Sequence, residues 1–303
     1  MLLEGETTEQ ALQPQFLAEL LKPFRPYDER LITRATVYTF HARIAERLQQ
    51  GRILLLGDAA HLTPPFAGQG LNAGIRDAHN IAWKLAAVVQ GIADPVILQS
   101  YEDERREPIW AMIQLAVAMG EFVMPRGTKQ QSLKNSMMEA LERFPEVKDY
   151  LFQMKFKPKP RYKDGLFIDL HNQTFEASLV GEMIPQPRVI DDNGRECLLD
   201  DVLGPGFALI AQDDESEDCL CEFDHPILRE LKTQRMRLFP VGQLFVSGDI
   251  KRAGVIGETS DGRPLLTHRD QILLVRPDRY ALGAFFPDQA EVFCNRLQGL
   301  LKP

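Results

Sequence analysis

The hydrophobic pattern of the chain is clearest between residues 51 and 91. Residues 53–56, Ile-Leu-Leu-Leu, are apolar without alternation, which is typical of a strand buried on both faces of a parallel sheet. A loop with two adjacent prolines follows. Apolar residues then recur at helical spacing, which predicts a helix that is capped by Gly91. The expected apolar stripe of this helix consists of Ile75, Ala78, Ala82, Leu85, Ala86 and Val89.

The pattern on the N-terminal side predicts one short helix and one strand. Residues 12–24 carry apolar residues at helical spacing, and Pro23 is expected to end this helix. Residues 31–45 are rich in β-branched and aromatic residues that alternate imperfectly, which favours a strand.

The sequence changes in character near residue 160. Residues 95–155 have helical patterns, with a break expected at Pro108. From residue 183 onward, short apolar segments alternate with Gly and Pro turns, which indicates a small α/β unit. Strands are expected at 207–211, 244–248 and 271–277, and helices near 225–235 and at 287–301.

Composition narrows the class of protein. The 303 residues are 44% hydrophobic and 26% charged, as in an ordinary globular protein with a buried core. The net charge of −8 argues against a nucleic-acid partner or an anionic membrane surface. No apolar run approaches the roughly 20 residues of a membrane-spanning helix, and the first ten residues lack the pattern of a signal peptide. The four cysteines are too few for a disulfide scaffold, so we expect a reducing, cytoplasmic location.

The loop between the predicted strand and helix has the residues of a ligand site. Gly57 and Asp58 stand where the strand ends, at the edge where α/β folds bind their ligands. A carboxylate there can accept hydrogen bonds from a polyol such as a ribityl chain. Gly68 and Gly70 allow close backbone approach, and free N–H groups at the helix start attract an electron-rich group such as a reduced flavin. The alternative is a plain strand–loop–helix with a turn aspartate and packing glycines.

At these residues the sequence resembles a known family. Residues 57–85, GDAAHLTPPFAGQGLNAGIRDAHNIAWKL, resemble the second FAD motif of the para-hydroxybenzoate-hydroxylase-type flavoprotein monooxygenases, and LQSYEDERREP (98–108) follows as it does there. KFKPKPRYKDG (155–165) and LVRPDRY (274–280) resemble the branch that acts on 3-(3-hydroxyphenyl)propionate and 3-hydroxycinnamate. The resemblance covers nearly the whole chain but only the later half of such an enzyme. The glycine-rich ADP-binding motif and most of the substrate sheet would lie upstream of Met1.

The resemblance implies an α/β fold class: the C-terminal part of an FAD-binding aromatic-hydroxylase fold followed by a thioredoxin-like domain. Residues 1–45 would then be the end of a substrate-binding sheet. Residues 46–160 would be the C-terminal part of the FAD-binding domain with a helical extension, and 161–303 the thioredoxin-like domain. The close cysteine pair Cys219-Leu220-Cys221 lacks the C-x-x-C spacing of a working thioredoxin and lies in an acidic run that disfavours thiolate, so we expect a structural role.

The resemblance also implies roles for particular residues. Asp58, beside Gly57, would hold the ribityl chain of FAD, and the backbone of Pro65 would face flavin and substrate. The residues along the isoalloxazine edge would be Gly68, Gln69, Gly70, Leu71 and Asn72. Tyr38 and His41 could border the substrate pocket together with Pro65, or could serve sheet packing. 

No catalytic side chain is assigned, because in this family the flavin carries out oxygen insertion. His61 could act as an acid or base, or it could pack within the fold or cap a turn; the packing or capping role is favoured. Asp77 is expected to support the helix start. The sequence shows no metal-ligand spacing.

The implied activity is hydroxylation of a phenolic acid such as 3-(3-hydroxyphenyl)propionate, ortho to its hydroxyl, with FAD, O2 and NADH or NADPH. Two alternatives stay open: the same chemistry on another phenol or a polyketide, and a non-catalytic remnant that mediates assembly. The sequence does not choose between NADH and NADPH, and it leaves the oligomeric state open, a homo-oligomer included.

Overall fold

The computed structural model describes residues 2, 5–125, 127–157, 161–174, 176–256 and 263–302. It contains two compact units, residues 1–41 and 42–303, which are described separately. The first unit contains helices α1 (Thr8–Ala11) and α2 (Pro14–Leu21) and a 3-10 helix at Glu29–Leu31. Pro14 occupies the first turn of α2, where a missing N–H costs nothing, and the expected helix within 12–24 is confirmed.

The strand expected at 31–45 is largely absent from the described residues. Residues 32–42 form no strand, and only β1 (Arg43–Ile44) has strand geometry. Tyr38 and Phe40 are exposed and stack on each other with ring centroids 6.5 Å apart. The β-branched pattern therefore has no neighbouring strand here to supply the backbone hydrogen bonds that a strand needs.

Short strands form two antiparallel pairs at the start of the second unit. β1 pairs with β4 (His61–Leu62), and β2 (Gln49–Gln50) pairs with β3 (Ile53–Leu54). The expectation of a strand over 53–56 that is buried on both faces of a parallel sheet is therefore wrong for the described chain. No parallel strand lies beside it among the described residues, and Ile53 is 68% exposed.

The remaining helices belong to the second unit. They are α3 (Gly70–Val89), α4 (Ser100–Val123), α5 (Thr128–Leu141), α6 (Pro145–Phe152), α7 (Leu199–Leu203), α8 (Asp214–Glu222), α9 (Pro226–Glu230), α10 (Arg263–Leu266) and α11 (Ala290–Leu301). Further 3-10 helices lie at Gly57–Ala59, Pro65–Ala67, Pro95–Gln99 and Pro287–Gln289. The break expected at Pro108 does not occur, because α4 continues through it.

Helix α3 buries a different face from the one that the apolar pattern predicts. The predicted stripe is exposed, with Ile75 at 58% and Val89 at 85%. The buried face contains Ala73, Asp77, Asn80, Ile81, Trp83, Lys84 and Ala87. The prediction fails because the three polar side chains of this face find charged or hydrogen-bonding partners on other elements, which removes the cost of burying them.

The described residues of the C-terminal region form a sheet of seven strands. The strands are β5 (Arg188–Asp191), β6 (Glu196–Leu198), β7 (Ala208–Ala211), β8 (Gln234–Phe239), β9 (Lys251–Val255), β10 (Ile272–Val275) and β11 (Ala281–Phe285). Their order is β11-β10-β7-β8-β9-β5-β6, and β7, β8 and β9 are parallel to one another.

The strands predicted at 207–211 and 271–277 and the terminal helix are confirmed, but residues 244–248 are irregular and Leu244 is 96% exposed. The helix near 225–235 is shorter than expected, because β8 begins at Gln234.

Alternating residues of this sheet bury two separate cores. One face, with Leu209 and Leu274, packs against α9, α11 and the end of α3. The other face, with Ile210 and Leu273, packs against α7. Because Trp83 and Ala87 of α3 belong to the first core, residues on both sides of position 160 share one hydrophobic interior. The domain boundary near 160 stays a prediction.

A fully buried group of charges joins α3, α4 and the strand end after β10. Glu104 accepts hydrogen bonds from Arg276 at 2.8 Å through both oxygens and from Lys84 at 2.9 Å. Asp278 also accepts from Arg276, and Asn80 donates to Glu104 at 2.6 Å. We call these residues the Glu104 cluster. Its two carboxylates and two cations balance, which makes the burial of four charges tolerable.

The charges of the cluster hold Glu104 ionised. Burial by itself raises the pKa of Glu104, but the neighbouring Arg276 and Lys84 outweigh it and lower the pKa to about 2. Aromatic rings surround the Arg276 guanidinium, among them Trp83 at 5.2 Å and Phe167 at 5.0 Å.

Within the described ranges, no single helix has both the length and the apolar character to cross a membrane; Pro95–Val123 and Thr128–Leu141 pass that test only as a bent pair.

Replacing Glu104 by Gln should lower the free energy of unfolding by about 3–5 kcal/mol at neutral pH, because Lys84 and Arg276 lose a buried partner. Since the folded pKa of Glu104 is lowered, its contribution exists above the unfolded pKa and disappears as the pH falls from about 5 toward 2. Urea unfolding at several pH values should therefore show a shallower acid loss in Glu104→Gln than in the wild type.

The matched control is Glu107→Gln, which changes the same type of side chain one turn further along α4. Glu107 forms an exposed ion pair with Lys163. We expect a loss within about 1 kcal/mol for this variant. Equal losses in the two variants would contradict a stabilising role for the Glu104 cluster.

Candidate functional site

The loop after β3 begins with a tight turn that lies against α3. In this turn, the 3-10 helix Gly57–Ala59, Gly57 has a φ of +54°, which favours glycine. A Cβ added at Gly74 of α3 would lie 3.3 Å from the Gly57 Cα. Gly57 is thus favoured by its backbone conformation, and Gly74 by the close approach of the two backbones. We call residues 57–59 the Asp58 turn.

Asp58 presents its carboxylate outward from this turn. The residue is exposed, and it makes no hydrogen bond to any described residue. Because this carboxylate has no hydrogen-bond partner within the described structure, it can accept hydrogen bonds from a ligand without breaking an existing one. This geometry agrees with the role expected for Asp58, which remains a prediction.

Beneath the turn, Asp77 of α3 accepts hydrogen bonds from three directions. Its Oδ2 accepts from the backbone N–H of Gly57 at 3.1 Å and from His61 Nε2 at 2.7 Å, and its Oδ1 accepts from Arg105 Nε at 2.9 Å. Burial opposes ionisation, but His61 and Arg105 outweigh it and lower the pKa of Asp77. His61 is buried and bonded to Asp77, which agrees with the favoured packing interpretation.

The second half of the loop leads into α3 through a left-handed glycine. Gly68, with a φ of +59°, ends the 3-10 helix Pro65–Ala67. Gln69 is the N-cap of α3, but its side chain caps no N–H group; its Nε2 donates to the carbonyl of Ala67 at 3.0 Å.

The first N–H groups of α3, at residues 70–72, therefore have no side-chain cap among the described residues. These groups carry the positive end of a 20-residue helix. The Gln69 Oε1 atom is buried and has no hydrogen-bond partner in the described structure. A free carboxylate, an uncapped helix start and an orphaned buried oxygen fit a ligand that carries both hydroxyl groups and electron-rich atoms.

The predicted cofactor-binding residues all lie on one continuous segment of the second unit, residues 57–72. Gly57 and Asp58 belong to the first 3-10 helix of this segment and Pro65 to the second, and the remaining residues lead into or begin α3: Gly68, Gln69, Gly70, Leu71 and Asn72. Tyr38 and His41 belong to residues 1–41, which are described by themselves, so their place beside a substrate stays a prediction.

Arg105 and Tyr162 are the residues that the sequence reasoning missed. Arg105 is almost fully buried, and its guanidinium reaches Tyr162 Oη and the carbonyl of Ala73, both at 3.4 Å. A weak signal existed in the sequence: Asp77 and Lys84 lie on the same face of the predicted helix as the apolar Ile81, at the spacing i, i+4, i+7. Such charges need partners of opposite sign, which α4 supplies.

The cysteines are free thiols. All four cysteines lie in the described part of the chain, and all are free. Cys219 and Cys221 occupy the last turn of α8, and burial followed by nearby carboxylates raises the pKa of the Cys221 thiol. Burial likewise raises the pKa of Cys219. The expectation that this pair disfavours thiolate is confirmed. Among the described residues, no group of His, Cys, Asp and Glu could hold a metal ion.

Comparison with known proteins defines the class of the fold. Residues 5–116 match the family model of an FAD binding domain, and residues 181–300 match that of the HcaD C-terminal domain. The fold is similar to that of aklavinone-11 hydroxylase, solved in a ternary complex with FAD and aklavinone. The TM-score is 0.66 at 24% identity over 98% of this chain and 52% of that chain. The chain thus has the α/β fold found in FAD-binding aromatic hydroxylases.

Curated relatives make the relationship more specific. The chain is 38% identical over 99% of its length to the 3-(3-hydroxy-phenyl)propionate/3-hydroxycinnamic acid hydroxylase of Mycolicibacterium smegmatis, of which it spans 54%. It is 35% identical over 99% of its length to the enzyme of the same name from Escherichia coli O157:H7, of which it spans 55%. The resemblance seen in the motifs is therefore confirmed, and the chain spans about half the length of these relatives.

Because their thiol pKa values are raised, Cys219 and Cys221 should react with iodoacetamide only at a higher pH than a free thiol, whose pKa is about 8.5. Alkylation followed by mass spectrometry, as a function of pH, measures each site. The chain unfolded in urea is the control, since there all four thiols should titrate normally. Half-maximal reaction below about pH 8 in the folded chain, or a bond between the two sulfurs, would support a redox role instead.

Proposed function

We propose that the chain forms the flavin-contacting part of an FAD- and NAD(P)H-dependent monooxygenase. Its substrate would be a phenolic acid such as 3-(3-hydroxyphenyl)propionate, hydroxylated ortho to the existing hydroxyl. One observation carries the proposal: the free Asp58 carboxylate and the uncapped start of α3 lie on one loop. This loop belongs to a chain that is similar over nearly its whole length to hydroxylases of that name.

The residues of the loop have distinct tasks in this proposal. Asp58 accepts hydrogen bonds from ribityl hydroxyls, and the N–H groups at Gly70, Leu71 and Asn72 face the electron-rich edge of the isoalloxazine. Pro65 and Gly68 shape the backbone beside the ring. Bound FAD supplies the redox chemistry, taking electrons from NADH or NADPH and passing them to O2.

The choice of a phenolic substrate follows from chemistry and from the relatives. Oxygen transfer of this type needs an electron-rich ring, and a phenol hydroxyl enriches the ortho carbon. The relatives named above are hydroxylases of 3-(3-hydroxy-phenyl)propionate and 3-hydroxycinnamic acid. Another phenol or a polyketide is the alternative within the same chemistry.

We propose a cytoplasmic location, with which the free cysteines agree.

We also propose that residues 161–303 form a thioredoxin-like domain. The support is topological: β7, α8, α9 and β8 form a parallel crossover, and β10, β11 and α11 follow as a hairpin and a helix. The strand order β11-β10-β7-β8 within the sheet agrees with that fold. With unactivated thiols, the domain would serve structure and assembly.

A non-catalytic assembly role is the second candidate. The observation that favours it is the exposed apolar side of α3, which includes Leu71, Ile75 and Val89. Exposed apolar side chains of this kind are suited to contact with other protein.

The purified 303-residue chain should be colourless and should bind FAD only weakly, because its sequence contains no G-x-G-x-x-G for the ADP half of the cofactor. Asp58→Ala should weaken flavin binding by about 1–3 kcal/mol, the cost of a lost charge-assisted hydrogen bond. Titration with FAD and with riboflavin, followed by amide NMR shifts, gives both dissociation constants.

Asp288→Ala is the matched control, since Asp288 is likewise an exposed aspartate in a short 3-10 helix. This variant should bind flavin as the wild type does. An affinity unchanged by Asp58→Ala would exclude the ribityl role, and a yellow chain with one tightly held flavin would contradict the expected weakness.

The reaction can be tested in a chimera that adds the unmatched half of the M. smegmatis relative to this chain. Given NADH or NADPH and O2, it should convert 3-(3-hydroxyphenyl)propionate into the 2,3-dihydroxy product, with the new oxygen coming from 18O2. Mass spectrometry reads the label. Oxygen arriving from water would refute the monooxygenase chemistry, whereas tight coupling only to another phenol would overturn the substrate alone.

A further inference from the structure

The Asp58 turn is held in place by one buried carboxylate, that of Asp77. Asp77 is fully buried, with 0% of its surface exposed. Among the described residues it accepts from a backbone N–H of the turn, from the ring of His61 and from the guanidinium of Arg105. Because an ionised carboxylate only accepts hydrogen bonds, His61 Nε2 must carry the proton. Asp77 therefore fixes the backbone before Asp58 and the imidazole after it.

An uncharged residue cannot replace this carboxylate without loss. Three N–H groups converge on its two oxygens, and an asparagine would present its NH2 group to one of them. Arg105 neutralises the charge, with a direct ion pair of 2.9 Å between side chains that are both buried. Removing the charge would also leave Arg105 without its buried partner.

Arg105 connects this arrangement to more distant parts of the unit. Its Nη2 donates to the Ala73 carbonyl in the first turn of α3, and its Nη1 donates to Tyr162 Oη. The Tyr162 ring stacks on Tyr280 with centroids 4.2 Å apart and planes 16° apart. Asp77 and Arg105 therefore contact the first turn of α3 and the Asp58 turn directly, and the segment after β10 through Tyr162.

We propose that Asp77, in its ion pair with Arg105, is a positioning residue for flavin binding. It sets the Asp58 turn relative to the start of α3, so that the Asp58 carboxylate and the helix N–H groups meet one flavin molecule together. This inference rests on the proposed function of Asp58. Asp77 itself does not touch the cofactor.

The test uses the 303-residue chain and riboflavin as the probe. Asp77→Asn should weaken riboflavin binding about tenfold, the effect of one misplaced charge-assisted contact. The double variant Asp58→Ala/Asp77→Asn should bind no more weakly than Asp58→Ala alone, because Asp77 acts through Asp58. Additive losses would show that Asp77 acts independently of Asp58 and would overturn the inference.

Asp278→Asn is the matched control. Asp278 is also a buried, ion-paired aspartate, but its partner is Arg276. Both variants should lower the thermal midpoint, whereas only Asp77→Asn should weaken riboflavin binding. Only in Asp77→Asn should the Gly57 amide lose its protection from hydrogen exchange, since its acceptor is Asp77. Equal loss of affinity in the two variants would reduce Asp77 to a merely structural residue.

The arms separate this inference from the proposed function. If Asp58→Ala weakens binding and Asp77→Asn does not, the positioning role is refuted while the function of Asp58 stands. If Asp58→Ala has no effect, the proposed function fails, and this inference fails with it.

If Asp77→Asn does not fold, Arg105→Lys is measured in its place. Lysine keeps the positive charge beside Asp77 but loses the hydrogen bond to the Ala73 carbonyl. A loss of affinity smaller than tenfold, again absent on the Asp58→Ala background, is expected there; unchanged affinity overturns the inference.

Discussion

The structure depends on the requirement that every charge buried between α3 and α4 has a partner of opposite sign. An isolated buried ion costs several kcal/mol, so Asp77 and Glu104 can lie inside only with Arg105, Lys84 and Arg276 around them. This requirement determines which face of α3 turns inward. The orientation of α3 then places its first turn and the preceding loop, and through them the candidate site.

The local structure of the candidate site was predictable from the sequence because its parts lie close together along the chain. The Gly57-Asp58 pair, the Gly68 bend and the helix start follow one another within sixteen residues, each with a conformational reason that is visible in the residue type. Helices α3 and α11 and strands β7 and β10 were predictable for the same reason, since their periodicity is complete within the segment.

The inward face of α3 was not predictable in this way. A periodicity argument places Asp77 and Lys84 in solvent, and only three-dimensional partners reverse that assignment. Of the two cations that contact Glu104, Lys84 is 20 positions away and Arg276 is 172 positions away. The strand patterns at 31–45 and 53–56 have a related cause. A β-branched or apolar segment shows what it would favour beside other strands, and among the described residues it has few such neighbours.

The Glu104 cluster also constrains how the sequence can change over time. Its residues come from α3, α4 and the segment after β10, and each single loss leaves one buried charge of the group uncompensated, so we expect substitutions at Lys84, Glu104, Arg276 and Asp278 to be tolerated mainly in compensating combinations. A recombination point between residues 105 and 275 would separate Glu104 from Arg276. Exchange of the C-terminal region between related proteins is therefore restricted to donors that bring an equivalent of the Arg276–Asp278 pair with them.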